Sequence, residues 1–244
     1  MVPADPNLAQ TDWSMIGRVS SPDEAAAAEA LERVVRRYWP AVYAFIRRTG
    51  RDVHESSDLS QAFVAEVMLR RQLIEGADRR KGRFRHLLLR SLRNFLHEQH
   101  RFATRWKRNP RESLLIPLDA IAEPRAPQEA DSPDAAFDRA WCQTLVKGVL
   151  SRVQEECQRE GLDLHWQVFE ARVVRPVLHG TEPIEYRQLA EELDLPGPGQ
   201  AANLLVTVKR RFARALRKEI AATVMHADEI EPEVRDVLRL LEDA

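Results

Sequence analysis

The sequence predicts an all-α protein: two helical domains joined by an acidic, proline-rich linker. Three observations carry that expectation. Ala, Leu, Arg and Glu dominate and only 9 glycines occur in 244 residues, a balance that favours helix over sheet. Apolar residues recur at helical spacing, with no period-two alternation of any length and no internal repeat. Pro110, Pro117, Pro124, Pro127 and Pro133 punctuate a stretch with few large apolar residues, which reads as extended and solvated. A chain of this length divides more readily into two compact domains than one. The expected parts are an irregular lead-in over 1–20, a helical domain over 21–109, the linker over 110–132, a second helical domain with a helix-turn-helix over 133–227, and an acidic C-terminal helix or tail over 228–244.

The first domain opens at Ser21-Pro22-Asp23-Glu24, where Ser21 can cap, Pro22 suits the first helical position and Glu24 completes a capping box. Leu31, Val34, Val35, Tyr38, Val42, Phe45 and Ile46 follow at helical spacing up to Gly50. Pro40 falls inside that pattern and is expected to kink or break it. A second helix is expected from about Glu55 to Arg71, with Leu59, Phe63, Val67 and Met68 inward. The third is basic. It carries Arg79, Arg80, Lys81, Arg83, Arg85, Arg90, Arg93, Arg101, Arg105, Lys107 and Arg108 against the single acid Glu98. Its inward stripe is Phe84, Leu87, Leu88, Leu92, Phe95, Leu96 and Phe102. At 100° per residue, Arg90, Arg93, His97, Arg101 and Arg108 point the other way, flanked by Asn94 and Arg105. Trp106 lies near the frayed end.

The second domain is expected to begin with a long helix from Pro133 to Arg159, with Phe137, Trp141, Leu145, Val149, Val153 and Cys157 on one side. An apolar helix spans roughly Asp163 to Leu178. A short helix with Ile184, Tyr186, Leu189, Ala190 and Leu193 comes next. The turn Leu195-Pro196-Gly197-Pro198-Gly199 separates it from a second basic helix, with Ala201, Leu204, Leu205, Val208, Phe212 and Leu216 inward. This pair has the pattern of a helix-turn-helix, although Asp194 stands where a glycine is common. In such a unit the start of the second helix reads base edges. Gln200, Asn203 and Thr207 stand there; Asn and Gln can pair with adenine, and Arg210 with guanine. Lys209, Arg211, Arg214, Arg217 and Lys218 complete the basic set, the last three suited to phosphates. The acidic tail places Ile230, Val234, Val237, Leu238 and Leu241 at helical spacing, so it can pack on the second domain or shield its basic helix.

Charge is segregated, not scarce. The formal net charge is −1, yet both basic helices stand against an acidic stretch holding Glu112, Asp119, Glu123, Glu129, Asp131 and Asp134. A helix with one apolar and one basic face suits a polyanion, so DNA is the expected partner, held at two points. The 2 cysteines, Cys142 and Cys157, fit no metal or redox spacing and are expected as buried reduced thiols in a cytoplasmic protein. No apolar run has signal-peptide or membrane-spanning character, so no membrane partner is expected. His97-Glu98-Gln99-His100 lacks the further ligands of a metal site, and Gly197-Pro198-Gly199 reads as a turn. Neither catalysis, nor a cofactor, nor a metal is expected.

On these residues the chain resembles the extracytoplasmic-function (ECF) group of bacterial RNA polymerase sigma factors. Tyr38 to Arg108 is similar to conserved region 2, through RYWPAVYAFIRR, DLSQAFVAEVM and KGRFRHLLLRSLRNFLHEQHR. YRQLAEELDLPGPGQAANLLVTVKRRFARALRKEI resembles region 4, and TDWSMI resembles the lead-in of one branch of the group. The resemblance covers nearly the whole chain in order. It implies that the helix bearing Asp58, Leu59, Gln61 and Phe63 docks on core RNA polymerase, with Glu55 and Glu66 adding charge. It implies that Arg83, Arg90, Arg93, Asn94, His97, Arg101 and Arg105 engage the minus-ten element of promoter DNA and hold its opened strand. Gln200, Asn203, Thr207, Lys209, Arg210, Arg211 and Arg214 would read the minus-thirty-five element. The linker would thread the polymerase's nucleic-acid channels, its carboxylates mimicking phosphates.

Ala62 replaces an acid that many members carry, and Ser56 and Ser57 replace residues that are often acidic. Phosphorylation of Ser56, Ser57 or Ser60 by a Ser/Thr kinase would add that charge; the preferred expectation is that Glu55, Asp58 and Glu66 suffice. An anti-sigma factor is the other candidate regulatory partner. The alternative function is a free-standing helix-turn-helix transcriptional regulator binding an operator as a dimer. A helical adaptor with merely solvated basic faces is a third reading, without salt-dependent DNA affinity.

Overall fold

Helix is the regular structure of this chain, and no strand occurs among the described residues. The computed structural model describes residues 23–70, 83–105, 132–221, 223–224 and 226–242. The lead-in, the linker up to Asp131, Ser21, Pro22, Arg79, Arg80, Lys81, Trp106, Lys107 and Arg108 lie outside them. The chain divides into two compact units. One takes residues up to Trp141 together with Ala221–Glu229; the other takes Cys142–Ile220 and Ile230–Ala244.

The first unit starts with α1, Glu24–Arg48. Its N-cap is Asp23, one residue before the helix; the carboxylate accepts from the backbone N–H groups of Ala25 and Ala26. The expected start at Ser21 and Pro22 is corrected: an anionic cap satisfies the orphan donors and also opposes the positive helix end. The helix also continues through Pro40, where a kink or a break was expected; it does not break there. A mid-helix proline costs about 3 kcal/mol. Here Trp39 and the run Ala41–Ile46 are buried, and their packing outweighs that cost. α2 spans Val53–Phe63, starting earlier than expected because Asp52 caps it by accepting from Glu55 N–H at 2.8 Å. The chain then widens into a π-helical stretch, Val64–Arg70, where one long α-helix was expected.

α3, Phe84–Arg105, supplies the opposite wall of this core with Phe84, Leu88, Leu89, Leu92, Phe95 and Leu96. Edge-on ring pairs join the elements: Tyr38 with Phe84 at 5.2 Å, and Phe63 with Phe95 at 5.6 Å. Each such pair adds about 0.5–1.5 kcal/mol to its burial. The first three turns of α4, Pro133–Arg159, add Ala136, Phe137 and Trp141 to the buried set.

In the second unit the remainder of α4 buries Leu145, Val146, Val149, Leu150, Val153 and Cys157. It ends at Gly161, whose φ of 69° is left-handed, with Leu162 N–H donating to Cys157 C=O at 2.8 Å. The helix expected over this region runs unbroken from α5 (Asp163–Phe169) through a π-helical stretch (Glu170–Val174) into α6 (Arg175–His179). α7 (Tyr186–Glu192) and α8 (Pro198–Ala221) follow. α9, Ile230–Glu242, belongs to this unit through buried Val234 and Val237. Leu238, expected inward, is exposed.

Candidate nucleic-acid interface

α7 and α8 are joined by a turn that closes on its own backbone. Leu195 N–H donates to Ala190 C=O at 2.8 Å and Leu193 N–H to Leu189 C=O at 3.0 Å, while Asp194 takes a left-handed φ of 50°. This is a Schellman-type C-cap, and Asp is among the few side chains that tolerate its left-handed position. The sequence departs from glycine at the one residue of the turn whose backbone favours it. Pro198 and Gly199, read as turn residues, open α8 instead; Gly197 C=O accepts from Gln200 N–H at 3.0 Å. Proline at the first helical position loses no hydrogen bond that the helix would have made.

Burial of Ala201, Leu204, Leu205, Val208, Leu216 and Ile220 fixes which side of α8 faces out. Gln200, Asn203, Lys209, Arg210 and Arg214 are exposed, and Thr207 is half-buried. The Thr207 hydroxyl donates back to Asn203 C=O at 3.4 Å. Arg211 is also turned aside: its guanidinium pairs with Glu160 at 2.6 Å. That bond holds the Glu160 carboxyl below its ordinary range and lifts the Arg211 guanidinium further. Arg217 does the same with Glu231 of α9 at 2.7 Å, so the tail answers one of the basic side chains. Gln200, Asn203, Lys209, Arg210 and Arg214 thus form the open part of the face, with no ion pair to these three cations among the described residues.

α8 is fastened at its back. Phe212 meets Phe169 at 5.8 Å, and Glu219 takes a 2.9 Å ion pair from Arg152. Arg172, which sequence reasoning passed over, lies with its guanidinium 4.2 Å from the Tyr186 ring centroid. It also donates to Ile184 C=O and, at 3.5 Å, to Pro183 C=O, binding the approach to α7. Its signal in the sequence is faint: one arginine within the apolar run over 168–174. Under α8, burial pushes the Cys157 thiol up, so it stays protonated.

On α3, Arg90, Arg93, Asn94, His97 and Arg101 are exposed and Arg83 is half-buried. Arg105 falls within the helix, but its side chain and that of Phe102 are outside the described set. Arg85 departs from the basic face. It is 7% exposed, pairs with Asp138 at 2.6 Å and lies 4.6 Å from the centroid of Trp141. Arg93 reaches Asp134 at 2.7 Å, though both remain about half exposed.

On α2, Glu55 and Asp58 are exposed, and Leu59, Gln61 and, just beyond, Glu66 are half-buried. Glu55 pairs with Arg51 at 2.9 Å. Phe63 is fully buried against Phe95, so it holds α2 in place and presents no ring to a partner. Ser56 and Ser60 are fully buried, and the Ser60 hydroxyl donates to Ser56 C=O at 2.7 Å. Phosphorylation at those two is therefore corrected: a kinase cannot reach them without opening the core, and only Ser57 is partly accessible. No described helix is long and apolar enough to cross a membrane. No protein-family model, curated protein or solved structure matches the chain.

Proposed function

We propose that this chain is an ECF-type sigma factor, a subunit that binds core RNA polymerase, selects promoter DNA, opens it and starts transcription. The observation that carries the reading is the presence in one chain of two outward basic faces of different construction. α8 follows a closed turn and leads with the carboxamides of Gln200 and Asn203, the groups suited to base edges in an intact major groove. In this reading it takes the minus-thirty-five element, with Arg210 and Arg214 on guanine or phosphate. α3 leads with Arg90, Arg93, Asn94, His97 and Arg101, a face suited to phosphates and to the bases of an opened strand. It takes the minus-ten element. The exposed acids Glu55 and Asp58 on α2, beside Leu59 and Gln61, are the docking surface for polymerase. The sequence resemblance supports the same three assignments.

Two linked measurements test the proposal. The full chain, mixed with core polymerase, should co-purify with it and yield discrete start sites in transcription from a bacterial genomic template. It should bind DNA weakly alone. Tight DNA binding without polymerase, and no association with polymerase, would overturn the proposal in favour of the free-standing regulator.

A further inference from the structure

Val206 is the apolar member of the outward side of α8. It is 43% exposed, one turn after Asn203 and one turn before Arg210, to one side of the face centred on Asn203. Valine is a weaker helix former than the Arg, Lys and Leu around it, because its branched Cβ crowds the preceding turn. At this exposure it also gains little from burial. On a basic outward face, an open apolar side chain can meet a ligand that offers an apolar group. The side chains beside it narrow what that is. Thr207 turns its hydroxyl back onto the helix, and Arg211 is held by Glu160. Asn203, Val206 and Arg210 are therefore neighbouring side chains of the outward face that are open to a ligand.

These three side chains match three different features of a major groove. Asn pairs with the N6 and N7 edge of adenine, Arg with guanine or a phosphate, and an apolar side chain with the one apolar group there, the thymine C5-methyl. Asn203 and Val206 are separated by about 4.5 Å along the helix axis, close to the roughly 3.4 Å rise between base pairs. With α8 laid along the groove, they would reach neighbouring steps. We infer that Val206 is a specificity-determining residue, reading a thymine methyl beside the adenine read by Asn203. The inference rests on the proposal that α8 enters promoter DNA, and adds that the element it reads contains an adenine–thymine step.

The test uses the full chain with core polymerase and the duplex it selects from a randomised pool. Each thymine of that duplex is replaced in turn by deoxyuridine, which removes only the methyl group. One replacement should weaken binding about fourfold, the worth of one methyl contact. Val206→Ala should lose about the same and be insensitive at that position, whereas Val206→Thr should keep part of the sensitivity. If Val206→Ala remains as sensitive as the native chain, or no replacement matters, the Val206 assignment falls alone. If no duplex is retained with or without polymerase, it falls together with the sigma-factor proposal. Helical content of the variants, read by circular dichroism, should stay native because the side chain is exposed.

Discussion

In α3 the carboxylates that answer Arg85 and Arg93 come from the first two turns of α4, Asp138 and Asp134, and one pair is drawn into the core. In α8 the answering acids, Glu160 and Glu231, stand at the flank and toward the C-terminal end, and leave the first turns open. Two helices that both look basic in the sequence thus present different parts of their charge. Arg85 belongs to the architecture of its unit. Arg210 and Arg214 are available to a ligand. The count of arginines on a helix therefore overstates its polyanion-binding surface wherever another element supplies carboxylates.

The most severe way to break this contrast is to remove the charge from the core. Arg85→Ala should destabilise the protein by about 3 kcal/mol, because it strips Asp138 of its partner and uncovers Trp141. Arg90→Ala, on the exposed face, should stay within about 0.5 kcal/mol. Urea denaturation of the two variants decides it, and equal effects would erase the distinction within α3.

That distinction marks the limit of what the chain discloses on its own. The apolar stripes were legible: Leu88, Leu92 and Phe95 on α3, and Leu204, Leu205 and Val208 on α8, fall on a period of 3.6 and are buried. The capping carboxylates Asp23 and Asp52 were beyond reach only in detail, since boundary residues compete locally. The partners of Arg85 and Arg211 were not legible, because Asp138 and Glu160 are remote in sequence and no periodicity links them. Val206 was visible only as a letter. The role proposed for it required knowing that the Thr207 hydroxyl and the Arg211 guanidinium are engaged within the protein.

A smaller effect tests how the helices are held. Asp194→Val should cost about 1–2 kcal/mol, since a branched side chain resists the left-handed backbone that closes the α7–α8 turn. Asp194→Gly should cost nothing measurable. Thermal unfolding of the two variants separates a conformational requirement from a need for the carboxylate: equal losses would point to the carboxylate. The finest test concerns α8 alone. Arg210→Ala and Arg214→Ala should each lower the magnitude of the logarithmic salt dependence of DNA binding by about 1. Arg211→Ala and Arg217→Ala should lower it less, because Glu160 and Glu231 already neutralise them. Titrations at several salt concentrations provide the comparison, and four equal slopes would show that ion pairing leaves those arginines equally available.

Both thiols of the chain are closed to reagents. Cys142 is 1% exposed, with its sulfur 3.5 Å from Val237 C=O, and Cys157 is fully buried with its thiol protonated. The native sequence is therefore already a silent background for chemical labelling. A single cysteine introduced on the surface, at Lys147 or Glu191, would take a fluorophore or cross-linker alone, with no prior removal of native cysteines.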